Sequence, residues 1–189
     1  MTRQDTRKEQ TRARMISSAG RRLKTDGIDG SGMSALMADA GLTNGAFYAH
    51  FGSKVDLVAA AVADQVRGQR DAIASLPDAR EAVAQFITEY LSPHHRDHPA
   101  DGCPSAALLT DIGRSKDVVR DSYTTEIESM IALLADRIHS ADPDRARVDA
   151  IGLITTLVAT MQLARAISDP AASDEVLAAG RVNCLRYLS

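Results

Sequence analysis

The 189-residue chain contains no tryptophan, three phenylalanines and four tyrosines, so nothing in its aromatic content marks it for flat polycyclic ligands. It has two cysteines, Cys103 and Cys184, and no C-x-x-C pair. That excludes a disulfide framework or a structural zinc finger and suits a reducing cytoplasm. The opening residues, M-T-R-Q-D-T-R-K-E-Q, lack the apolar core of a secretory signal. The longest uncharged, mostly apolar run, 150–164, holds three threonines and a glutamine and falls short of the roughly 17–25 residues that span a bilayer, so no membrane span is expected. No stretch alternates apolar and polar residues as a half-buried strand would, and there is neither an internal repeat nor a low-complexity tract. An enzyme using His50 or the histidines near position 95 as a base would need more. The chain shows no nucleophile, base and orienter set, no phosphate-cradling glycine loop and no paired carboxylates on one helix face. Neither a catalytic role nor a cofactor is expected.

What is present is an ordinary globular composition, 44% hydrophobic, with an uneven charge. Through Lys54 there are nine Lys/Arg and five Asp/Glu, a net of +4, whereas the remainder carries a net of −7. A basic head on an acidic body suggests a polyanion partner for the head.

Helical periodicity predicts an all-α chain of nine helices. The first is expected from the Thr6-x-x-Glu9 capping box to Gly27, with Ile16, Ala19 and Leu23 as its stripe. Between 27 and 53, glycines cut the pattern into short pieces: a helix over 34–40, a turn at Gly41-Leu42 and a helix over 44–50. Ser53 and Asp56 signal the start of a fourth helix with Val55, Val58, Val62 and Val66 inside, interrupted at Leu76-Pro77-Asp78. Asp78 and Glu81 are expected to cap a fifth, carrying Val83, Phe86, Ile87, Tyr90 and Leu91. Segment 93–102 reads as a solvated polar loop. Further helices are expected over 104–114, 116–141, 143–168 and 171–188, the last two announced by Asp142-Pro143 and Asp169-Pro170.

Two short helices joined at a glycine turn, behind a basic helix, are the parts of a helix-turn-helix reader, whose second helix enters the major groove by its amino-terminal end. Thr43 and Asn44 lie at that start, where an amide can bond both edges of adenine. Gly45 and Ala46 allow close approach, and the Ala46 methyl suits a thymine methyl. Tyr48, His50 and Lys54 are suited to phosphates, which orient without reading sequence. Phe47 and Phe51 are expected to pack inward against Leu36 and Leu23.

The run G-L-T-N-G-A-F-Y-A-H-F-G-S-K-V-D-L, 41–57, resembles the signature of the TetR-type bacterial transcriptional repressors: glycine, aliphatic, short spacer, glycine, then F/L-Y-x-H-F-x-S/N-K-x-x-L. Residues 12–23 resemble that family's first helix and 39–42 its turn. Two departures are Gly32, where Thr or Ser usually starts the second helix, and Met37 in place of a common alanine. The first leaves a phosphate contact to Ser31 or Ser34. The resemblance implies a DNA-binding head, 1–52, and a ligand-binding and dimerisation body, 53–189. It also implies a palindromic double-stranded operator, a homodimer and a small-molecule inducer.

In the body, Phe86, Tyr90, Leu109, Tyr123, Ile127, Met130, Leu157 and Met161 are candidates to line an apolar inducer pocket. The run 151–161 is apolar or small on every side, which calls for burial on more than one face. With the last helix it nominates Ile151, Ile154, Leu157, Val158, Met161, Leu177, Gly180, Cys184 and Leu188 for a four-helix interface between two copies. Cys103, just before Pro104 and so at a helix amino terminus, is a candidate thiol sensor; Cys184 reads as packing. His94, His95 and His98, with Asp97 and Asp101, do not form a preorganised tetrahedral set, and no metal is expected.

Overall fold

The computed structural model describes residues 3–138 and 142–188. Among them the chain forms ten α-helices and no strand. The first, α1 (Arg3–Asp26), begins ahead of the Thr6–Glu9 box, which therefore lies inside the helix rather than capping it. It buries Met15, Ile16, Ala19 and Leu23 and stops at Gly27, whose φ of 76° lies in the left-handed region that suits a residue without a Cβ. The helix α2 (Met33–Asp39) ends in a Schellman turn: Gly41 N–H donates to Ala38 O and Leu42 N–H to Met37 O, both at 2.9 Å, with Gly41 at φ 65°. Then α3 spans only Asn44–Phe47, shorter than the periodicity predicts, and passes into a turn at Tyr48.

At the start of α4 (Lys54–Ala74) the expected cap is present. Ser53 Oγ accepts the Asp56 N–H at 3.2 Å, while its hydroxyl donates to the Asp56 carboxylate at 2.9 Å. Arg137 closes the other end by donating to Ala74, Leu76 and Pro77 carbonyls at 2.8–3.1 Å, which satisfies acceptors that a helix terminus leaves open. The next helix, α5 (Arg80–Tyr90), is capped by Ala79 without a side-chain bond, so Asp78 is not its cap. The tenth, unexpected helix is α6 (Pro93–Asp97), where Ser92 Oγ accepts the His95 N–H. A 3₁₀ turn, Pro99–Asp101, follows.

The remaining helices are α7 (Pro104–Arg114), α8 (Asp117–Arg137), α9 (Pro143–Ala166) and α10 (Pro170–Leu185). Asp142 and Asp169 cap α9 and α10 as their Asp-Pro pairs predict, each carboxylate accepting amide protons of the first turn. The expected run of α8 as far as 141 takes in 139–141, outside the described residues. By length and composition alone α9 is apolar enough to cross a membrane, with a mean hydropathy of 1.2 over 18 residues. Here it packs between α8 and α10.

Two apolar clusters divide the fold. One joins α1, α2 and α3 to Leu57, Val58, Ala61 and Val62 of α4, and to Leu108, Ile112 and Val119 from α7 and α8. The other begins one turn further along α4 at Val66 and takes in α5, α8, α9 and α10. The core of the head thus extends past residue 52 into helices of the body. Polar ties reinforce this junction: Ile28 N–H donates to Asp111 at 2.9 Å, Lys24 Nζ to Gly102 O at 2.9 Å, and Arg21 pairs with Asp101.

Candidate nucleic-acid interface

The helix-turn-helix stands on a compact aromatic footing. Phe47 is 1% exposed, stacks on Phe51 at 5.9 Å between centroids and meets Tyr48 edge-on at 5.1 Å. Both phenylalanines share a cluster with Leu36 and Leu23, as the sequence predicts, and the Arg12 guanidinium lies 4.8 Å over Phe51. Burying Phe47 turns its neighbours outward: Thr43, Asn44, Gly45 and Tyr48 are exposed, Tyr48 at 74%, and Ala46 is half-buried. Arg22 pairs with Asp39, fixing α2 on α1.

Asn44 Nδ2 donates to Ser34 Oγ at 3.0 Å, so these two exposed side chains join α2 to the start of α3. Ser31 does not take over from Gly32, since it is fully buried with its hydroxyl donating to Gly27 O at 2.7 Å. Lys54 is half-buried and gives one hydrogen bond to Ile28 O at 2.8 Å. His50 is half-buried with Nδ1 unpartnered; burial, then Lys8 and Arg12, push its pKa below the usual imidazole value. It borders a groove of about 1100 Å3 lined also by Thr6, Arg7, Lys8, Gln10, Thr11 and Ala49. The cationic lining of this groove was legible only as a basic helix face.

In the body, Phe86, Tyr90, Ile127, Met130 and Leu157 converge, with Cys103, on a small apolar cavity of about 20 Å3, room for roughly one water. Tyr123 packs against the core and shares a 2.9 Å hydrogen bond with Ser105, and Met161 is fully buried there; neither lines that cavity. Leu109 is 39% exposed on α7 and lies away from it. Phe86, Tyr90 and Cys103 also border a second, open cleft of about 550 Å3, which reaches Lys24 on α1.

The nominated interface residues divide unevenly. Leu157, Val158, Met161, Leu177, Cys184 and Leu188 are buried within the protomer's own core, and a Cβ on Gly180 would meet Thr160 of α9. Ile154 is half-buried and Ile151 exposed. The apolar residues left outward are Val148, Ile151 and Leu163 on α9, and Val182 and Leu185 on α10. Since α9 and α10 cover each other and the body core, the inner stripes are consumed inside one chain. Burial pushes the Cys184 thiol up to about 12, as suits packing.

The segment 92–103 is a strap, not a solvated loop. His95 Nδ1 lies 2.7 Å from Tyr90 O, its Nε2 accepts the Cys103 N–H at 2.9 Å, and its ring meets Tyr90 edge-on. Arg165 donates to His95 O and Arg96 O, and Arg96 reaches Asp174 and Ser173 on α10. His94 and His98 stack on each other. The sequence signal for this order was Ser92-Pro93, the same cap-plus-proline pairing that marks α9 and α10.

An all-helical chain with a helix-turn-helix head fused to a larger helical body is a DNA-binding transcriptional regulator in architecture. Residues 16–61 match the family model described as bacterial regulatory proteins, tetR family, which covers the helix-turn-helix and the start of α4. Solved structures agree in fold. NemR of Escherichia coli in its reduced form aligns over 93% of this chain and 95% of its own with TM-score 0.78 at 18% identity. A TetR-family regulator from Agrobacterium tumefaciens aligns over 95% and 97% with TM-score 0.75 at 19% identity. Another from Cytophaga hutchinsonii aligns over 94% of each chain with TM-score 0.75 at 20% identity. No curated protein sequence matches.

Proposed function

We propose that the chain represses transcription by binding a near-palindromic operator as a homodimer, and that a small molecule held in the body releases it. A head, 1–52, does the reading and a body, 53–189, the sensing and pairing, with α4 shared between their cores. The carrying observation is the outward presentation of Thr43, Asn44, Gly45 and Tyr48 from a buried aromatic footing, beside a cation-lined groove. A DNA partner puts the working place in the cytoplasm, and the activity is binding rather than catalysis. Two recognition helices related by two-fold symmetry require half-sites about 34–36 Å apart, or a multiple of it. Selection from a random duplex library tests this, and a best site without inverted symmetry would refute the dimeric reading.

Reader and anchor residues are separable in the same assay. Asn44→Ala is expected to relax preference at one position per half-site, costing about 1–3 kcal/mol there. Lys54→Ala should weaken all sequences alike and lower the salt slope by about 1, because an ammonium has donors beyond the one given to Ile28 O. An identical, sequence-independent loss from both would dismiss the assignment.

A second reading, release by thiol modification, is favoured by the placement of Cys103 on the wall of both the cleft and the small apolar cavity. A maleimide would add the Cys103 sulfur across its carbon–carbon double bond, the thiol proton passing to the neighbouring carbon. The expected result is loss of operator binding in wild type and Cys184→Ser but not in Cys103→Ser. Equal release of wild type and Cys103→Ser would leave only the noncovalent reading.

A further inference from the structure

The open cleft between α1, α4, α5 and the strap lies beside buried polar groups that the fold does not satisfy. Lys24, on α1, is 8% exposed. Its ammonium donates to Gly102 O, and among the described residues no carboxylate lies within ion-pair distance of it. Asp101, the nearest acid of the strap, is paired with Arg21. Burial pushes the Lys24 pKa down to about 8. Tyr90, 6% exposed, borders the same cleft, and its hydroxyl makes no hydrogen bond of good geometry, although the Cys103 thiol is near. Arg165, a second cation without a carboxylate partner, gives its bonds to the His95 and Arg96 carbonyls and leaves Nη1 buried and unpartnered. A buried cation lacking a counter-ion and a buried hydroxyl lacking an acceptor are both costly, and one ligand oxygen pair would answer both.

We propose that this cleft binds a small organic monocarboxylate, its two oxygens on the Lys24 ammonium and the Tyr90 hydroxyl and its apolar part against Phe86. The proposal rests on reading the chain as a ligand-released regulator and names the ligand's class. A single negative charge fits better than two, because the lining also carries Asp64, Asp71, Glu89 and Asp101, and of its cations besides Lys24 only Arg67, itself paired with Glu126, is present to offset them. A volume of about 550 Å3 accommodates a molecule of ordinary metabolite size. Phe86 and Tyr90, with ring centroids 5.9 Å apart, line both the cleft and the small apolar cavity, so an apolar substituent lies against the wall of the body core. The site is also placed to act on the head. Lys24 belongs to α1, and with Arg21 it ties that helix to the strap; a carboxylate that draws the ammonium from Gly102 O loosens one of the two ties and alters how the head sits on the body.

The test uses the full-length protein and matched pairs: benzoate, phenylacetate and hexanoate, each against its primary amide, with inorganic phosphate as a further arm. Binding is read by calorimetry and thermal shift, and operator release by fluorescence anisotropy. At least one carboxylate is expected to bind at millimolar concentration or below, with its amide weaker by about tenfold or more, as loss of charge-assisted bonds requires. Lys24→Gln and Tyr90→Phe should each weaken that carboxylate by a similar factor. Tyr90→Phe, which removes an unsatisfied hydroxyl, should not lower the melting temperature of the free protein. Equal binding of acid and amide, equal binding of phosphate, no binding by any acid, or unchanged affinity in Tyr90→Phe overturns the proposal. A carboxylate that binds through Lys24 and Tyr90 but leaves the operator occupied upholds the site and refutes the release reading. An amide that releases the operator as well as its acid does the reverse.

Discussion

Phe47→Ala should unfold the DNA-binding head, whereas Tyr48→Ala, one residue further on, should leave the protein's stability nearly unchanged and still abolish tight operator binding. The two rings touch edge-on yet lie on opposite sides of the boundary between core and solvent. Phe47 is buried under Phe51 and against Leu36 and Leu23, and truncating a buried phenylalanine costs about 3–5 kcal/mol through lost transfer energy and the cavity left behind. That is comparable to the whole stability of many domains. Because Leu108, Ile112 and Val119 belong to the same cluster, some destabilisation should reach α7 and the start of α8. Hydrogen exchange on Phe47→Ala should show protection lost across α1 to α3 and retained in α9 and α10. Tyr48 has little burial to lose, so its change should stay within about 0.5 kcal/mol of wild type. A Phe47→Ala variant within about 1 kcal/mol of wild type would mean that the head does not depend on this footing.

The second large effect is expected from the outer face of α9 and α10. Leu163→Glu combined with Val182→Glu places two carboxylates where apolar side chains are 54% and 57% exposed in one protomer. A single chain tolerates this, because neither residue is part of its core. A dimer packed through that face would bury both charges without partners, which costs several kcal/mol per ion. The double variant is therefore expected to run as a folded monomer in analytical ultracentrifugation. With only one half-site read at a time, its operator affinity should fall by about 10³-fold or more, toward the non-specific level. Substituting Leu177 instead should unfold the body, since that side chain is wholly inside it. A double variant that remains dimeric would move the interface elsewhere.

In the head, local chemistry was decisive. The glycines at 27 and 41 adopt positive φ, Ser53 and Asp56 cap each other, and the turn after α3, closed by Phe51 N–H donating to Phe47 O at 3.0 Å, brings Phe51 back to the side of Phe47. Where a contact depended on an unusual residue, local reasoning was weaker: with Gly32 in place of a hydroxyl, Ser31 looked available, but it is occupied by Gly27 O.

In the body, apolar content was legible and its direction was not. The run 151–161 has small and apolar residues all round, so periodicity could not say which stripe faces the chain's own core and which is left over. The inner one, through Leu157 and Met161, is covered by the protomer itself, and the outer one, through Ile151 and Leu163, is not. The 92–103 strap shows the same limit in polar form. Its histidine and arginine looked solvated because partners of His95 and Arg96, Tyr90 O and Asp174, lie on other elements.

What the sequence determined by itself is therefore what neighbours along the chain decide: the caps at Ser53, Asp142 and Asp169, the stop at Gly27, the turn between α2 and α3, and the order of residue types in the recognition segment, since caps, turns and helical periodicity act over three or four residues. The tertiary structure alone decided which of two equally apolar faces is buried, that α1 reaches the strap through Lys24 and Arg21, and that Lys24 and Tyr90 border one cleft. Those outcomes depend on residues some seventy-eight positions apart, as for Lys24 and Gly102, and only the packing of one helix against another brings such pairs together and sets which of their polar groups are satisfied.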